Sequence, residues 1–488
     1  MHYILDKLDN IVGILHRKNI CEDHSYLFYH IKTNTYKIYT SNIYNLKLIP
    51  NKYDLIVIGA GPSGIGTVYE YMKDNLNKKV LLIEEGRPAS EYKYLNVDEW
   101  SEAYGDSNNT QNYRTNIVGL QVGMGLGGGT LHFGLQYIED KTHFPLIDLN
   151  NLRNRLHIKQ YQYDENIVSD NMKEFKLFLD KQINFTIDNN YIYATGEKYN
   201  KRVLYSKLLD NFNSNLDILT YSEVRSMDEN GINLYNHTFQ ANNYVLACGA
   251  LGTPELLLRN NFISSGNYIL HDHIGITLYY QKNNFNMYDK YYILGHLQAR
   301  AKDLNWQVYF SLIPGAGFED ILVVTFATSR LLDNVKKVNL SLDENSNLFI
   351  NNYSTQEDGT YGSYKKILKH AFMEISKELI NFGYSIISLP DNLSKLPLEQ
   401  LYEQLFLAGA ATSIYHYQGT LADRVVRPVK NTDKFNDINN FRLNGLSKKI
   451  LVADLSIYGN DFQHFGSTSA VAYACGTTLG HLLKSAKL

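Results

Sequence analysis

The first 40 residues contain two patterns of apolar and polar residues, one typical of a helix and one typical of strands. Six apolar residues recur at helical spacing and predict a short helix: Ile4, Leu5, Leu8, Ile11, Val12 and Leu15. Residues 26–40 then read YLFYHIKTNTYKIYT, which predicts two strands around a turn at Thr33–Asn34. We expect residues 1–50 to form a small unit added to the main fold. Its apolar face would pack on that fold or on a second copy of the chain.

A β-α-β unit is predicted directly after this segment. Residues 53–58 form an apolar run typical of a buried strand, residues 62–75 have helical periodicity, and residues 79–83 form a second apolar run. This order predicts two parallel strands connected by a helix.

Loops, strands and helices alternate through the rest of the chain. Residues 101–135, rich in Gly, Asn and Thr, are predicted to be mostly loop, and residues 215–250 to form short strands. Residues 276–400 are predicted to alternate strands and turns, with helices near 364–382 and 397–408. The chain is predicted to end with a strand (449–453), a loop and a helix (467–484).

Composition narrows the class of protein. At 488 residues and 56.0 kDa, with 44% hydrophobic and 20% charged residues, the chain is predicted to be a soluble protein of two domains. A net charge of −3 gives no reason to expect nucleic acid as a partner, and no apolar run is long enough for a membrane span. The N-terminus lacks the features of a secretion signal. Cys21, Cys248 and Cys475 are too far apart to suggest a disulfide framework, so we expect a cytoplasmic protein.

Three glycines follow the first strand of the β-α-β unit in the pattern Gly-x-Gly-x-x-Gly. Gly59 permits a tight turn, Gly61 lets a phosphate approach the backbone, and Gly64 lets helix and strand pack closely. Pro62 and Ser63 open the helix, whose free N–H groups and partial positive charge attract a pyrophosphate. The motif therefore predicts a dinucleotide site.

Glu84 ends the second strand, 20 residues after Gly64, where a carboxylate accepts hydrogen bonds from ribose hydroxyls. Its negative charge disfavours a 2′-phosphate, so NADP is not expected. The motif does not distinguish FAD from NAD.

Later stretches supply further motifs. Residues 123–136 read GMGLGGGTLHFGLQ, in which clustered glycines let the backbone lie close to a flat or anionic group. Residues 244–260 read YVLACGALGTPELLLRN, an apolar strand followed by a helix that Thr253–Pro254 is predicted to cap. Residues 415–420 read YHYQGT, and residues 450–483 read ILVADLSIYGNDFQHFGSTSAVAYACGTTLGHLL.

In this order the motifs resemble those of the glucose-methanol-choline (GMC) oxidoreductase family. The matching positions are the glycine fingerprint, Leu126 to Thr130, Val245 to Leu258, Asp272-His273, the His-x-x-Gly-Thr motif (His416, Gly419, Thr420), and Val452, Asp454, Ser456 and His464. The resemblance covers most of the chain after residue 50.

The resemblance implies an α/β protein whose cofactor is FAD. It implies a doubly wound, Rossmann-like FAD-binding domain and a substrate domain with an antiparallel sheet. The predicted boundaries are 1–50 for the added unit, 51–140, 201–275 and 410–488 for the FAD-binding domain, and 141–200 and 276–409 for the substrate domain.

The family's cofactor-binding residues carry over position by position. The set is Gly59, Gly61, Pro62, Ser63, Gly64, Glu84, Gly127, Gly128, Thr130, His132, Val224, Asp454 and Phe465. Glu84 would hold the adenosine ribose, and the Val224 backbone would contact the adenine. The loop from Gly127 to Thr130 would lie along the flavin and pyrophosphate. Asp454 would sit near the ribityl-pyrophosphate region, and the amides after His464 would face the flavin carbonyl.

One departure from the family pattern lies in the glycine-rich loop. His132-Phe133 replaces the usual Asn. Some related sugar oxidases attach the flavin covalently through a His at this place, so a covalent bond from His132 is one alternative. A noncovalent, hydrogen-bonded His132 is the other.

Two histidines are the predicted catalytic residues. Oxidation of an alcohol removes a proton from the hydroxyl and a hydride from its carbon, and the flavin takes the hydride at N5. By resemblance, His416 is the base and His464 orients the hydroxyl. Imidazole suits the base because its ordinary pKa near 6.5 leaves it mostly neutral at pH 7. The electron acceptor is O₂, a quinone or another carrier, and the substrate is a small-molecule alcohol.

Other functions remain as alternatives. The same fold hosts lyases and a light-driven decarboxylase, and a decayed flavoprotein could act as a binding module. His271-Asp272-His273 could suggest metal ligands, but a third ligand at short spacing is missing, so no metal is expected.

Overall fold

A computed structural model gives the architecture of the chain. It describes residues 2–5, 11–18, 25–30, 35–40, 45–48, 50–93, 110–115, 120–131, 136–137, 143–146, 154, 177–178, 181, 185–188, 192–193, 204–212, 214–228, 230–234, 237–270, 274–282, 297–301, 306–313, 321–328, 337–351, 359–387, 389–408, 410, 412–413, 419–429, 433–458 and 468–485.

The helices of these residues are labelled in chain order. They are α1 (Pro62–Met72), α2 (Gly249–Arg259), α3 (Gly359–Asn381), α4 (Asp391–Ser394), α5 (Leu398–Leu407) and α6 (Thr468–Ser485). Short 3-10 helices occur at Ala89–Glu91, Gly128–Leu131, Tyr205–Phe212, Ala422–Arg424, Ile438–Phe441 and Leu455–Ile457. Among the described residues, no helix combines the length and the apolar character that crossing a bilayer requires.

A parallel sheet forms the centre of the molecule. Its order is Leu216–Leu219, Val80–Ile83, Lys52–Ile58, His237–Leu246 and Ile450–Val452, and every neighbouring pair is parallel. Within the middle strands, Val80–Ile83, residues 55–58 and residues 244–246 are continuously buried apolar runs, as expected inside a parallel sheet. Ser226–Asp228 and Gly231–Leu234 extend it as antiparallel strands beside the start of His237–Leu246.

Helices α1 and α6 pack with their backbones nearly in contact. A Cβ at Gly476 would lie 1.9 Å from the Ser63 carbonyl oxygen, and one at Gly480 would lie 2.6 Å from the Thr67 oxygen. Hydroxyls join the helices as well, since Ser63 Oγ donates to the carbonyl of Ala472 at 2.7 Å. The C-terminal helix therefore holds the first helix of the dinucleotide motif in place.

A second sheet is antiparallel and has its own core. Its strands in order are Phe185–Asp188, Leu297–Ala301, Trp306–Ile313, Ile321–Thr328, Ile274–Gln281 and Ser385–Ile386, and Thr412–Ser413 also pairs with Ile274–Gln281. Helices α3 and α5 pack on one face of this sheet, where Phe326 meets Phe372 edge-on and the Tyr280 hydroxyl lies 2.7 Å from that of Ser376.

A third sheet corrects the expected loop at 101–135. Thr110–Thr115 and Leu120–Gly123 are paired strands within that range. They join Gly266–Ile269, Lys337–Leu342 and Leu348–Asn351 in one sheet. The polar residues of the first strand can pair because their backbone groups, not their side chains, form the ladder. A small two-stranded sheet joins Gln136–Tyr137 and Ile192–Tyr193.

The predicted N-terminal helix is wrong. Residues 2–48 contain five antiparallel strands in the order Thr35–Thr40, Ser25–His30, Ile11–Lys18, His2–Leu5 and Asn45–Leu48. The predicted pair of strands at 26–40 is confirmed. β-branched residues and Gly13 lower helix propensity in Ile11–Lys18, and pairing with Ser25–His30 overrides the helical spacing.

The other elements match the prediction closely. The strand, helix and strand expected at 53–58, 62–75 and 79–83 occur at Lys52–Ile58, Pro62–Met72 and Val80–Ile83, with an earlier helix end. The four strands within 215–250, both helices of 276–400 and the terminal strand and helix are also found. The chain is thus a mixed α/β protein, while the doubly wound arrangement and the domain boundaries stay predictions.

The contact between α1 and α6 can be tested with Gly476→Ala. The new Cβ would overlap the Ser63 carbonyl, so we expect the free energy of unfolding to fall by roughly 1–3 kcal/mol, the usual cost of overpacking. Urea unfolding would measure it. Gly129→Ala is the matched control, because a Cβ there meets no described atom within 4 Å. Equal stabilities of the two variants would contradict the close contact.

Candidate functional site

The carboxyl ends of the parallel strands place the predicted motifs side by side. The segments that leave this edge start at Gly59, Glu84, Thr220, Ala247 and Ala453. Ligands of open α/β sheets bind in the crevice outside such carboxyl ends. The edge therefore defines the candidate site.

The first glycine turn shows three different steric situations. A Cβ at Gly59, which has φ of +95°, would lie 2.4 Å from the Ala247 carbonyl oxygen. A Cβ at Gly64 would lie 1.9 Å from the Gly59 oxygen, so strand and helix touch there. At Gly61 a Cβ would meet no described atom within 4 Å. At Gly61, unlike the other two glycines, no contact with the described residues requires the absence of a side chain.

Helix α1 begins at this turn, and no side chain of the described residues caps its first backbone N–H groups. Its N-cap is Gly61, which has no side chain, Pro62 opens the helix, and its first turn carries no acidic residue. Uncompensated N–H groups and the positive end of the helix dipole favour an anion here.

The glycine-rich loop packs directly on the first motif. Gly127 donates its N–H to the Ala60 carbonyl at 2.9 Å, and a Cβ at Gly128 would lie 2.8 Å from Gly61 Cα. The Thr130 hydroxyl donates to the Gly127 carbonyl at 2.7 Å, which closes the turn. The structure thus brings together the two glycine motifs that the sequence separates by some sixty residues.

Glu84 is buried, and its carboxylate binds backbone N–H groups from three separate places in the chain. Its carboxylate accepts N–H groups from Ala60 at 2.7 Å, Gly86 at 2.8 Å and Gly125 at 3.0 Å. Burial raises the pKa of Glu84, and the three amide hydrogen bonds oppose that rise. The predicted contact with a ribose stays a prediction. The partners Ala60, Gly86 and Gly125 were not predicted; only Gly86, two residues after Glu84, carries a local signal.

Asp454 occupies the start of a second helix at the same edge. Its carboxylate accepts the N–H of Gly249 at 3.0 Å, the hydroxyl of Thr253, and the N–H of Ser456 at 2.9 Å. Burial raises the pKa of Asp454, against these hydrogen bonds. Asp454 therefore neutralises the N-terminus of α2, in contrast to the free N-terminus of α1.

The predicted cap of α2 at Thr253–Pro254 is wrong, since the helix already begins at Gly249. Pro254 lies inside it and has no N–H to donate to the carbonyl of Ala250, four residues earlier. That carbonyl instead accepts the hydroxyl of Thr420 at 2.6 Å. Because Pro254 cannot donate to the Ala250 carbonyl, that carbonyl is available to accept the hydrogen bond from Thr420.

Two further residues of the predicted cofactor site, Ser63 and Val224, are packed against other parts of the protein. The Ser63 hydroxyl donates to α6 and not toward the crevice. Val224 is buried after the strand Leu216–Leu219, and its predicted contact with an adenine stays a prediction.

The predicted histidines lie outside the described residues. This holds for His132, His416, His464 and Phe465, and for residues 271–273. The described residues that flank the two catalytic candidates are nevertheless joined. Gly419 donates its N–H to the Leu455 carbonyl at 2.9 Å, and Leu421 donates to the Ser456 carbonyl at 2.7 Å.

Comparisons with known proteins show the fold. No family model and no curated protein matches the chain. Among solved structures, pyridoxine 4-oxidase from Mesorbium loti has a TM-score of 0.64 at 17% identity and covers 88% of this chain and 99% of its own. A formate oxidase from Aspergillus oryzae, solved in work on its FAD modification, has a TM-score of 0.65 at 14% identity, covering 90% and 99%. A fungal aryl-alcohol oxidase has 0.60 at 12%, covering 90% and 99%. All three are GMC oxidoreductases, so the resemblance is confirmed at the level of the fold.

The role of Glu84 as an acceptor for three amides can be tested with Glu84→Gln. The amide nitrogen of Gln would face a backbone N–H, so we expect the free energy of unfolding to fall by roughly 1–3 kcal/mol. Thermal unfolding of the apoprotein would measure it. Glu399→Gln is the control, because the Glu399 side chain is 68% exposed. If both substitutions cost the same, Glu84 does not hold the turns together.

Proposed function

We propose that this chain, which has the fold of GMC oxidoreductases, binds FAD and oxidises a CH–OH group to a carbonyl. The observation that carries the proposal is the crevice around Gly61. Two glycine motifs and an uncapped helix N-terminus meet there, and no contact with the described residues requires the absence of a side chain at Gly61. A pyrophosphate fits both the space and the charge.

Different residues of the crevice would bind the pyrophosphate, the adenosine, the ribityl chain and the flavin ring of FAD. The backbone at Gly61 and Gly128 and the start of α1 would hold the pyrophosphate, with Pro62, Gly59 and Gly64 shaping the turn. Glu84 and Val224 would hold the adenosine, and Asp454 the uncharged ribityl chain. Gly127, Thr130, His132 and Phe465 would line the flavin, with His132 either bonded covalently to it or hydrogen-bonded nearby.

The alcohol is proposed to meet two imidazoles. When bound, FAD would accept the hydride from the carbinol carbon. His416 would take the hydroxyl proton as general base, and His464 would hold the hydroxyl oxygen by a second hydrogen bond. Two backbone hydrogen bonds support this pairing, because they join the described residues that flank the two segments. O₂ or another carrier would take the electrons.

The names of the structural neighbours agree with this chemistry. Pyridoxine 4-oxidase and aryl-alcohol oxidase are named for alcohol substrates, and the formate oxidase was studied for FAD modification. Because fold does not fix function, the proposal rests mainly on the chain's own residues.

Gly61→Ala tests the cofactor site. A methyl group in the crevice would meet no atom of the described residues within 4 Å but would collide with a pyrophosphate, so we expect a folded protein that purifies with less flavin. FAD titration should show affinity reduced by roughly tenfold or more, about 1.4 kcal/mol. Unchanged thermal unfolding of the apoprotein is the control. A variant that purifies as yellow as the parent would refute the crevice as the pyrophosphate site.

His416→Ala tests the reaction. Alcohols screened under anaerobic conditions should bleach the flavin of the parent protein. The variant should keep its flavin but reduce it ~10²- to 10⁴-fold more slowly, since a general base contributes that much. His370→Ala is the control, because His370 is exposed on α3. Equal rates for His416→Ala and the parent would remove His416 from the mechanism, and a parent that no alcohol bleaches would remove the proposed reaction.

A further inference from the structure

Tyr458 is the C-cap of the short 3-10 helix Leu455–Ile457, and together they form the turn 455–458. In the sequence, His464 follows Tyr458 by six residues. The Tyr458 side chain is fully buried. Its backbone N–H donates to the Leu455 carbonyl at 3.2 Å. The same carbonyl accepts the N–H of Gly419, three residues after His416. Tyr458 is thus attached to the point at which the two histidine-bearing segments are joined.

The ring of Tyr458 belongs to a stack built from three parts of the chain. It lies nearly parallel to Phe435, with centroids 6.0 Å apart and planes 7° apart, and to Phe144, at 6.3 Å and 15°. Phe144 and Phe435 stack on each other at 5.0 Å. His143 meets the Tyr458 ring edge-on at 6.3 Å, and its carbonyl accepts the Phe435 N–H at 2.8 Å. The stack therefore fixes Tyr458 against two elements outside the crevice.

We propose that Tyr458 is a positioning residue for the reaction, a role that rests on the proposed function. Its stacked ring holds the turn 455–458 in one place, and the turn holds residues 419–421 through two backbone hydrogen bonds. A stacked aromatic side chain suits this task because it has few rotamers and a preferred geometry. Loss of the ring should let the turn shift while leaving the two glycine motifs of the crevice intact.

The experiment compares Tyr458→Leu with Phe441→Leu. Phe441 is equally buried and packs on Phe435 at 5.6 Å, but it does not belong to the turn. We expect similar losses of thermal stability. Only Tyr458→Leu should slow flavin reduction, by roughly 10- to 100-fold at saturating alcohol, the scale reported for small misplacements of reacting groups. Tyr458→Phe keeps the ring and should restore the rate.

Hydrogen exchange provides a readout that needs no substrate. The amides of Gly419, Leu421, Ile457 and Tyr458 donate to the turn or belong to it, and they should exchange faster in Tyr458→Leu than in Phe441→Leu. If Tyr458→Leu does not fold, Phe144→Leu removes a stacking partner instead and should give the same pattern to a smaller extent.

Two outcomes would overturn the proposal: equal exchange of these amides in the two Leu variants, or equal slowing of reduction. A parent protein that no alcohol reduces would refute the proposed function instead, and the exchange result would still decide whether Tyr458 holds the turn.

Discussion

The contact between Gly64 and the Gly59 carbonyl determines where the positive end of α1 points. Any side chain at residue 64 would lie 1.9 Å from that oxygen, so the helix can start beside the strand only with glycine there. On its other side, Gly476 brings α6 equally close to the Ser63 carbonyl. Backbone atoms thus hold α1 from two directions, and its free N–H groups face the crevice at Gly61. The glycine-rich loop and the Glu84 carboxylate are arranged around that fixed point.

Charge then decides which part of a dinucleotide lies where. Both α1 and α2 begin at the same sheet edge, but Asp454 accepts the donors at the start of α2. A pyrophosphate would be attracted to α1 and repelled by Asp454. The buried carboxylate tolerates an uncharged, hydroxyl-bearing group instead, which agrees with the proposed place of the ribityl chain. The proposed order of FAD along the crevice would follow from this difference between two helix ends.

Much of the fold and of the candidate site could be predicted from local sequence patterns. The rest depends on contacts between residues that are remote in the sequence. The spacing of the three glycines predicts the turn because it places Gly64 against the Gly59 carbonyl, a contact within a few residues. The strands His2–Leu5 and Ile11–Lys18 were missed because the apolar residues of 11–18 fit either period, and the partner strand decides between them. The amides that bind Glu84 and Asp454 were missed because Gly125 and Gly249 are remote in sequence, and backbone donors leave no trace in residue identity.

The same reasoning explains how a fold can persist at 12–17% identity while the chemistry differs between proteins. The bonds that join Gly419 to Leu455 and Leu421 to Ser456 use main-chain groups, which almost any sequence supplies. The side chains of the segments beside them are therefore free to vary without loss of the architecture. Under the proposed function, the fold would determine where a substrate meets FAD, and His416 and His464 would determine the reaction. Alcohol oxidation would therefore depend on those two imidazoles and on the residues that position them, the role proposed here for Tyr458.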